Sequence, residues 1–291
     1  MIESTPRVSI GLPVYNGERY LQTAIDSILA QEFTDFELVI CDNASTDGTE
    51  AICRAAAADP RVRYHRQPEN LGAAPNFNDC FRRASAPLFA WISYDDLRDP
   101  AYLTACVEHL DRHPESVLAY PRGIFIDEDG EVIKDDLSTI ASSSSRALPR
   151  LLKVVTDGGA ANGLYGVHRA ETLAKTRLMD SFVASDRVLL AEIALLGQIH
   201  ELPERLSRRR IHDLISTKAN VDLESRGLWF DRSKRPSKLS RGPRLLIEYG
   251  RSVLRMPISW RDRLECLLVY PPVFIQREVR IVVGRWRRRN R

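Results

Sequence analysis

The sequence predicts an α/β protein built on a single, mainly parallel sheet, with an antiparallel extension and a C-terminal helical appendage. Three observations carry this. Over the first 120 residues short β-branched or apolar runs alternate with helical patterns, as in a sheet whose parallel strands are joined by crossover helices. Asp129-Gly130 then sits between two apolar runs, a hairpin signal that breaks the parallel scheme. From Arg232 onward 17 Lys and Arg face 4 Asp and Glu, although the net charge of the 291-residue chain is only +3, so the tail is chemically distinct.

Taken in order, strands are expected at Val8 to Leu12, Glu37 to Cys41, Val62 to His65 and Leu88 to Ser93. The last is apolar enough for burial on both faces. Between the first two, Tyr20, Leu21, Ala24, Ile25, Ile28 and Leu29 recur at three- and four-residue spacing, the buried stripe of an amphipathic helix that closes a βαβ unit. Helices are also expected over Thr49 to Ala58, Asn76 to Ala84 and Tyr102 to His113, each stopped by a nearby Pro. A hairpin spans Ile124 to Ile133, Ser142 to Ser145 is a loop, and Leu148 to Val155 and Arg187 to Leu196 read as helices. Asp222 to Gly242 is polar, basic and Pro-containing, a linker before Arg-laced helices at Leu245 to Leu254 and Asp262 to Tyr270. The chain therefore divides into one domain over residues 1–221, itself in halves at about residue 120, and an appendage over 222–291.

Composition removes several classes. Apolar residues at 44%, charged residues at 28%, 15 Gly and 16 Pro exclude disordered, collagen-like and disulfide-scaffold proteins. Cys41, Cys53, Cys80, Cys106 and Cys266 are widely spaced with no C-x-x-C pair, which points to a reducing compartment and a cytoplasmic location. The N-terminus lacks a secretory pattern, and the longest apolar runs, such as Val188 to Leu196, are too short to cross a bilayer. Nothing beyond charge supports nucleic-acid binding.

In open α/β sheets ligands bind outside the carboxyl ends of the strands, and four clusters of chemistry fall there. Strand one ends in Pro13-Val14-Tyr15-Asn16-Gly17 and strand two in Asp42-Asn43-Ala44-Ser45-Thr46-Asp47-Gly48-Thr49. Asn70-Leu71-Gly72 follows strand three, and strand four ends in Tyr94-Asp95-Asp96. An Asp at a strand end can accept hydrogen bonds from a ribose or base, and Gly nearby admits close backbone approach, which suits a nucleotide. Asp42 and Asp47 equally suit turn and N-cap duty. Two adjacent carboxylates repel each other unless a cation sits with them, so Asp95-Asp96 implies a divalent metal, or else a solvated turn with Asp96 as a cap.

The succession P-x-Y-N, D-N-A-S-T-D-G-T, N-x-G and D-D resembles the family 2 glycosyltransferases, inverting nucleotide-sugar enzymes of the Rossmann-like GT-A fold. The resemblance is strong over residues 7–130, weaker to about residue 217, and absent from the tail. It implies that Pro13, Tyr15, Asn16, Asp42, Asn70 and Gly72 hold the nucleotide. Asp95 would bind Mg²⁺ or Mn²⁺ bridging the diphosphate, and Asp96 would lie near the sugar. Relatives commonly complete a D-x-D where this chain has Ser93. The catalytic base falls at Asp186, before a clear helix, with Asp180 and Glu192 as competitors and an N-cap role as the structural alternative. His212, beyond Arg208, Arg209 and Arg210, is either a further metal ligand or a packed histidine.

The resemblance thus implies metal-dependent transfer of a sugar from a nucleoside-diphosphate donor, UDP by default, to a glycan or lipid-linked acceptor of the bacterial cell envelope. The basic tail would then meet an anionic membrane at its inner face, pack on the catalytic domain, or form a homodimer contact. The competing reading is a non-catalytic sugar-nucleotide binder, suggested by Ser93 and Ser185 where acids are usual. A nucleotidyltransferase would want a Gly-rich basic loop where Gly17-Glu18-Arg19 stands, and a dinucleotide oxidoreductase a G-x-G-x-x-G that is missing.

Overall fold

β1 (Val8–Val14) and β2 (Phe36–Asp42) are buried at every position, as strands covered by helices on both faces must be. In this computed structural model, which describes residues 5–157, 161–213, 229–232 and 240–289, they pair in parallel with each other. β3 (Val62–Arg66) flanks β2 and β4 (Leu88–Trp91) flanks β1, again in parallel. The crossovers are α1 (Leu21–Leu29), α2 (Thr49–Ala56) and α3 (Ala73–Arg83). The expected stripe of α1 is in place, with Leu21, Ala24, Ile25 and Ile28 fully buried. Parallel pairing of Val14 with Asp42 and of Asp42 with Arg66 brings the strand exits to one edge.

Beyond β4 the chain forms β5 (Leu97–Arg98), α4 (Tyr102–Arg112), β6 (Ser116–Ile126) and β7 (Val132–Asp136). The β6–β7 hairpin is the one expected at Asp129-Gly130. Asp127 accepts the backbone N–H groups of Asp129 and Glu131, and Gly130 turns at φ +94°, a conformation glycine takes without strain. α5 (Ala147–Asp157), the short α6 (Ala161–Leu164), β8 (Val167–Arg169), the short α7 (Ala170–Leu173), α8 (Ser185–Leu196) and β9 (Gln198–Arg210) follow. The nine strands lie in one sheet ordered β3-β2-β1-β4-β8-β6-β9-β5, with β7 on β6. β8 runs antiparallel to β4 and β6, whereas β9 is parallel to β6.

The tail is not a detached appendage. Leu245, Tyr249 and Val253 of α9 (Arg241–Arg255) and Cys266, Tyr270 and Phe274 of α10 (Trp260–Arg289) share one core with Leu151, Val155, Leu189 and Ile193 of α5 and α8. Full burial of such side chains contributes roughly 1.5–3 kcal/mol each. A charged bridge reinforces the joint. Arg177 donates from Nε to Glu192 at 2.8 Å and from Nη1 to Glu248 of α9 at 2.7 Å, while Ser252 donates to Glu192 at 2.9 Å. The expected linker at Asp222 to Gly242 falls largely outside the described residues. Of its described parts, Phe230 to Arg232 lie against the loop at Leu71 and Gly72, and Ser240 to Gly242 lead into α9.

His168 of β8 is fully buried between β4 and β6, its Nε2 3.0 Å from the Leu164 carbonyl oxygen. Burial pushes its imidazole down to about 4. The folded state therefore binds the proton more weakly than the unfolded chain, so this histidine's contribution is intact above the unfolded pKa near 6.5 and is lost as pH falls from there towards 4. Urea titrations should show stability dropping by about 2 kcal/mol between roughly pH 7 and pH 5 from this residue, with His168→Leu shallowing the slope. An unchanged slope in the variant would assign the pH dependence elsewhere.

Candidate active site

The carboxyl edge of the sheet is braced loop to loop before any ligand arrives. Asn16, at φ 50°, donates its N–H to the Ser45 hydroxyl at 2.9 Å and accepts the Thr46 N–H on its side-chain oxygen at 2.8 Å. Glu18 accepts the Gly48 N–H, and Thr49 accepts that of Gly17. Asn43 donates to Asn70 and to the Gly72 carbonyl and accepts the Leu71 N–H, fastening the second loop to the third. Gly72 sits at φ +95°, and a Cβ there would meet the backbone of Phe230 and Asp231 at 2.8 Å, so neither the turn nor the space admits a side chain.

The expected nucleotide residues lie along this edge. Pro13 is buried in β1, and Tyr15 stands at the exit with 37% exposure. Asp42 is fully buried and already engaged by the Tyr64 hydroxyl at 2.9 Å, the Ser45 N–H at 2.8 Å and Arg66 Nε at 3.4 Å. Burial and the Asp42 charge push the Tyr64 hydroxyl well up, which keeps it a donor to Asp42.

The acidic doublet separates into two environments. Asp95 accepts from the Ser93 hydroxyl on one oxygen, while the other lies 2.9 Å from Nε2 of His212. Asp96 turns inward. It is 5% exposed, accepts the backbone N–H of Arg210 at 3.0 Å and lies 4.0 Å from the Arg98 guanidinium. Burial, and then the negative charge of Asp95, push the Asp96 carboxyl up to about 6 against the opposing pull of Arg98 and Arg209. Arg210 fixes the geometry by donating from its side chain to the carbonyls of Asp95, Asp127 and Glu128. Tyr20 closes the site, its ring 4.8 Å from that of His212 and under the Arg210 guanidinium at 4.8 Å.

Asp95 and His212 fit a divalent cation. They present an oxygen and a nitrogen to one another, and the buried His212 Nδ1 and Tyr20 hydroxyl have no hydrogen-bond partner. Among the described residues no three His, Cys, Asp or Glu form a closed cage. A partial set suits Mg²⁺ or Mn²⁺, which take their remaining ligands from water and substrate phosphates. Ser93 anchors Asp95 from the position where an acid is usual.

Asp186 stands in the first turn of α8. Its carboxyl is raised by burial against the opposing charges of Arg187 and Arg241. Among the described residues no hydrogen bond or ion pair links it to Asp95 or Asp96. Its competitors are committed, since Glu192 is fully buried on Arg177 and Asp180 lies 3.8 Å from the same guanidinium. Sequence reasoning missed Tyr20, taken for part of the α1 stripe, and the bracing by Asn43 and Arg210. For Arg210 the run Arg208-Arg209-Arg210 before His212 was the available signal.

The family model for glycosyl transferase family 2 matches residues 9–166. Chondroitin synthase of Escherichia coli is 30% identical over 135 residues, 46% of this chain and 20% of that protein. Hyaluronan synthase of Pasteurella multocida is 32% identical over 133 residues, 45% and 14% respectively. The chain matches less than half the length of such curated relatives. Among solved structures, S. aureus TarS in complex with UDP-GlcNAc superposes with a TM-score of 0.69 at 16% identity, covering 93% of this chain and 72% of TarS. The mannosyltransferase PcManGT of Pyrobaculum calidifontis, in complex with GDP-Man and Mn2+, gives a TM-score of 0.57 at 16% identity over 97% and 76%. These likenesses show the GT-A fold.

The two carboxylates should part company on mutation. Asp96→Ala leaves the buried Arg98 without its counter-ion and the Arg210 N–H without its acceptor, and should cost about 3 kcal/mol of stability. Asp95→Ala leaves the Ser93 hydroxyl and the buried His212 ring without their partner and should cost about 1–2 kcal/mol, less than Asp96→Ala because no buried guanidinium loses its counter-ion. Thermal melts that reverse this order would show that the inward and outward assignments are wrong.

Proposed function

The chain belongs to glycosyl transferase family 2, and we propose that it moves a sugar from a nucleoside-diphosphate sugar to a hydroxyl of a glycan or lipid-linked acceptor, inverting the anomeric carbon. The observation that carries this reading is the meeting of Asp95 and His212 at the carboxyl edge of the parallel strands, beside loops braced for a nucleotide. Pro13, Tyr15, Asn16, Asp42, Asn70 and Gly72 line or shape the donor side. UDP is the donor base this reading favours, in keeping with the UDP-GlcNAc complex of TarS.

Each carboxylate has a separate task. Asp95 and His212 would hold a divalent ion, whose positive charge would favour departure of the diphosphate. Asp96, turned inward, and Arg210 keep that pair aligned. Asp186 takes the proton from the acceptor hydroxyl as it attacks the face opposite the leaving group. A carboxyl raised by burial is a better proton acceptor near neutral pH than a solvated one.

The acceptor side extends over residues 121–221, and the tail turns a face outward. Leu264, Leu268, Ile275, Val279, Val282 and Trp286 of α10 are exposed at three-, four- and seven-residue spacing, with exposed Arg261 and Arg280 on the same helix. No helix among the described residues is long and apolar enough to cross a membrane. Such a stripe suits an anionic bilayer surface, here the inner face of the cell membrane, with a second copy of the chain as the rival occupant.

Asp95→Ala should abolish transfer and the Mn²⁺-dependent rise in melting temperature given by UDP. Asp186→Asn should keep UDP binding within about twofold while lowering kcat about 10³-fold. Full activity in either variant would remove its assigned role, and a shift with GDP but not UDP would change the donor.

Phosphatidylglycerol vesicles should sediment the protein in low salt and release it at about 0.5 M NaCl, and Leu268→Glu with Val279→Glu should abolish binding. Concentration-dependent dimerisation without vesicle binding would instead give the stripe to a second copy.

A further inference from the structure

The first turn of α8 meets the start of α9 in a cluster of positive charge that the sugar-transfer scheme does not use. Arg187 follows Asp186 on α8, is half-buried, and makes no side-chain hydrogen bond or ion pair among the described residues. Arg241, the exposed first residue of α9, acts electrostatically on both Asp186 and Arg187. Arg277 of α10 joins them while also holding Glu278 and the Thr156 carbonyl. Three guanidiniums thus lie in the field of two carboxylates, and among the described residues the positive excess has no partner.

Two further polar groups point to an absent ligand. The Tyr249 hydroxyl is fully buried with no hydrogen-bond partner, and the charges that act on it are those of Arg187, Asp186, Arg277 and Arg241. The Ser185 hydroxyl, 1% exposed and adjacent to Asp186, is likewise without a partner. Buried hydroxyls in native proteins are nearly always satisfied, so two orphans beside unpaired arginines mark a place for an acceptor-rich anion. The N-terminus of α9 adds to this, since it receives no side-chain cap and its Arg241 and Gly242 N–H groups lie at the positive end of the helix dipole, whereas at α8 the Ser185 and Arg187 N–H groups are bonded to the Phe182 and Ala184 carbonyls. A phosphate has the charge and the oxygen count to satisfy guanidiniums, hydroxyls and helix N–H groups together.

We propose that Arg187, Arg241, Tyr249 and Ser185 bind a phosphate group carried by the acceptor, holding its hydroxyl against Asp186. The acceptor class narrows accordingly to phosphorylated glycans and lipid-phosphate-linked sugars. The proposal rests on Asp186 being the base, but its anion site is measured without turnover, so the two readings fail separately. An acceptor held by its phosphate loses the rotational freedom that otherwise opposes attack. Exposed Arg241 opens the cluster to solvent and gives such a molecule its way in.

Calorimetric titration of the full chain with inorganic phosphate, glycerol 1-phosphate and farnesyl phosphate tests this, with UDP plus Mn²⁺ run in parallel. Saturable binding is expected, weakened about tenfold by Arg187→Gln and about threefold by Tyr249→Phe, with UDP affinity held within about twofold. Arg241→Gln, at an exposed position, keeps the test open if the Arg187 variant does not fold. Tighter binding of farnesyl phosphate than of glycerol phosphate assigns the group to a lipid carrier, equal binding to a water-soluble glycan phosphate, and either upholds the site. No saturable binding, affinities unchanged in every variant, or UDP binding lost along with phosphate binding would overturn it, the last by giving the arginines to the donor. Asp186→Asn transferring sugar normally while phosphate still binds would end the base assignment and leave the anion site standing.

Discussion

The hydrogen bond from the Arg210 backbone to the Asp96 carboxylate holds the site together, because it joins the end of the last strand to the turn between β4 and β5. β8 and β6 separate β4 from β9 in the sheet, but Asp96 immediately precedes β5, whose Leu97 and Arg98 pair with Arg208 and Ser207 of β9. The buried Asp96 carboxylate carries that pairing one step beyond the backbone ladder, where a fixed acceptor takes over from the strand. With the clamp made, the Arg210 side chain reaches the carbonyls of Asp95, Asp127 and Glu128, and His212 two residues on falls against Asp95. The position of one carboxylate thus decides whether the other has a partner. The clamp has its cost in the raised Asp96 carboxyl, which Arg98 and Arg209 offset in part.

Charge organises the molecule at a larger scale. The acidic excess of residues 1–231 and the basic excess of the tail meet where Arg177 spans Glu192 on α8 and Glu248 on α9. Both carboxylates are buried, and Arg177 bonds to each, so the joint satisfies its charges internally. Glu248 also draws Arg251 at 2.8 Å and Arg244 at 3.1 Å. The tail helices are therefore part of the second core, and what they offer outward is the opposite face of α10. A segment that composition marks as separate is held by packing as an integral layer.

The donor half was legible in the sequence because its signals are local. Buried parallel strands read as apolar runs, crossover helices keep a 3.6-residue stripe, and Gly, Asn and Asp mark the exits. β9 was not, and the reason is physical. Its apolar residues Ile199, Leu202 and Leu206 recur at three and four residues, the spacing of a helix, and Pro203 and three consecutive arginines obscure it further. The strand tolerates this because its pairing with β6 shifts register three times, so strict alternation of inward and outward positions is lost. In α10 the expected helix covered only Asp262 to Tyr270, whereas the helix runs from Trp260 through Pro271-Pro272 to Arg289. Asp95, Asp96 and His212 were each visible as residue types, but which carboxylate faces inward depends on Arg210 and Arg98, contacts that no local pattern encodes.

The different surroundings of the three carboxylates bear on why the chemistry is divided among them. In the proposed scheme the carboxylate that holds the cation is Asp95, whose two oxygens meet Ser93 and His212. One that orders backbone does so through burial, like Asp96, and one that accepts a proton gains from burial without a strong anchoring bond, like Asp186. These demands conflict within a single cluster, since a cation close enough to neutralise a leaving diphosphate would also hold a neighbouring carboxyl ionised and weaken it as a base. In the proposed scheme, separating Asp186 from the doublet lets the proton acceptor and the charge neutraliser be tuned independently, burial outweighing the opposing charges of Arg187 and Arg241 at Asp186. The fold supplies that separation by placing one on the tip of β4 and the other on the first turn of α8.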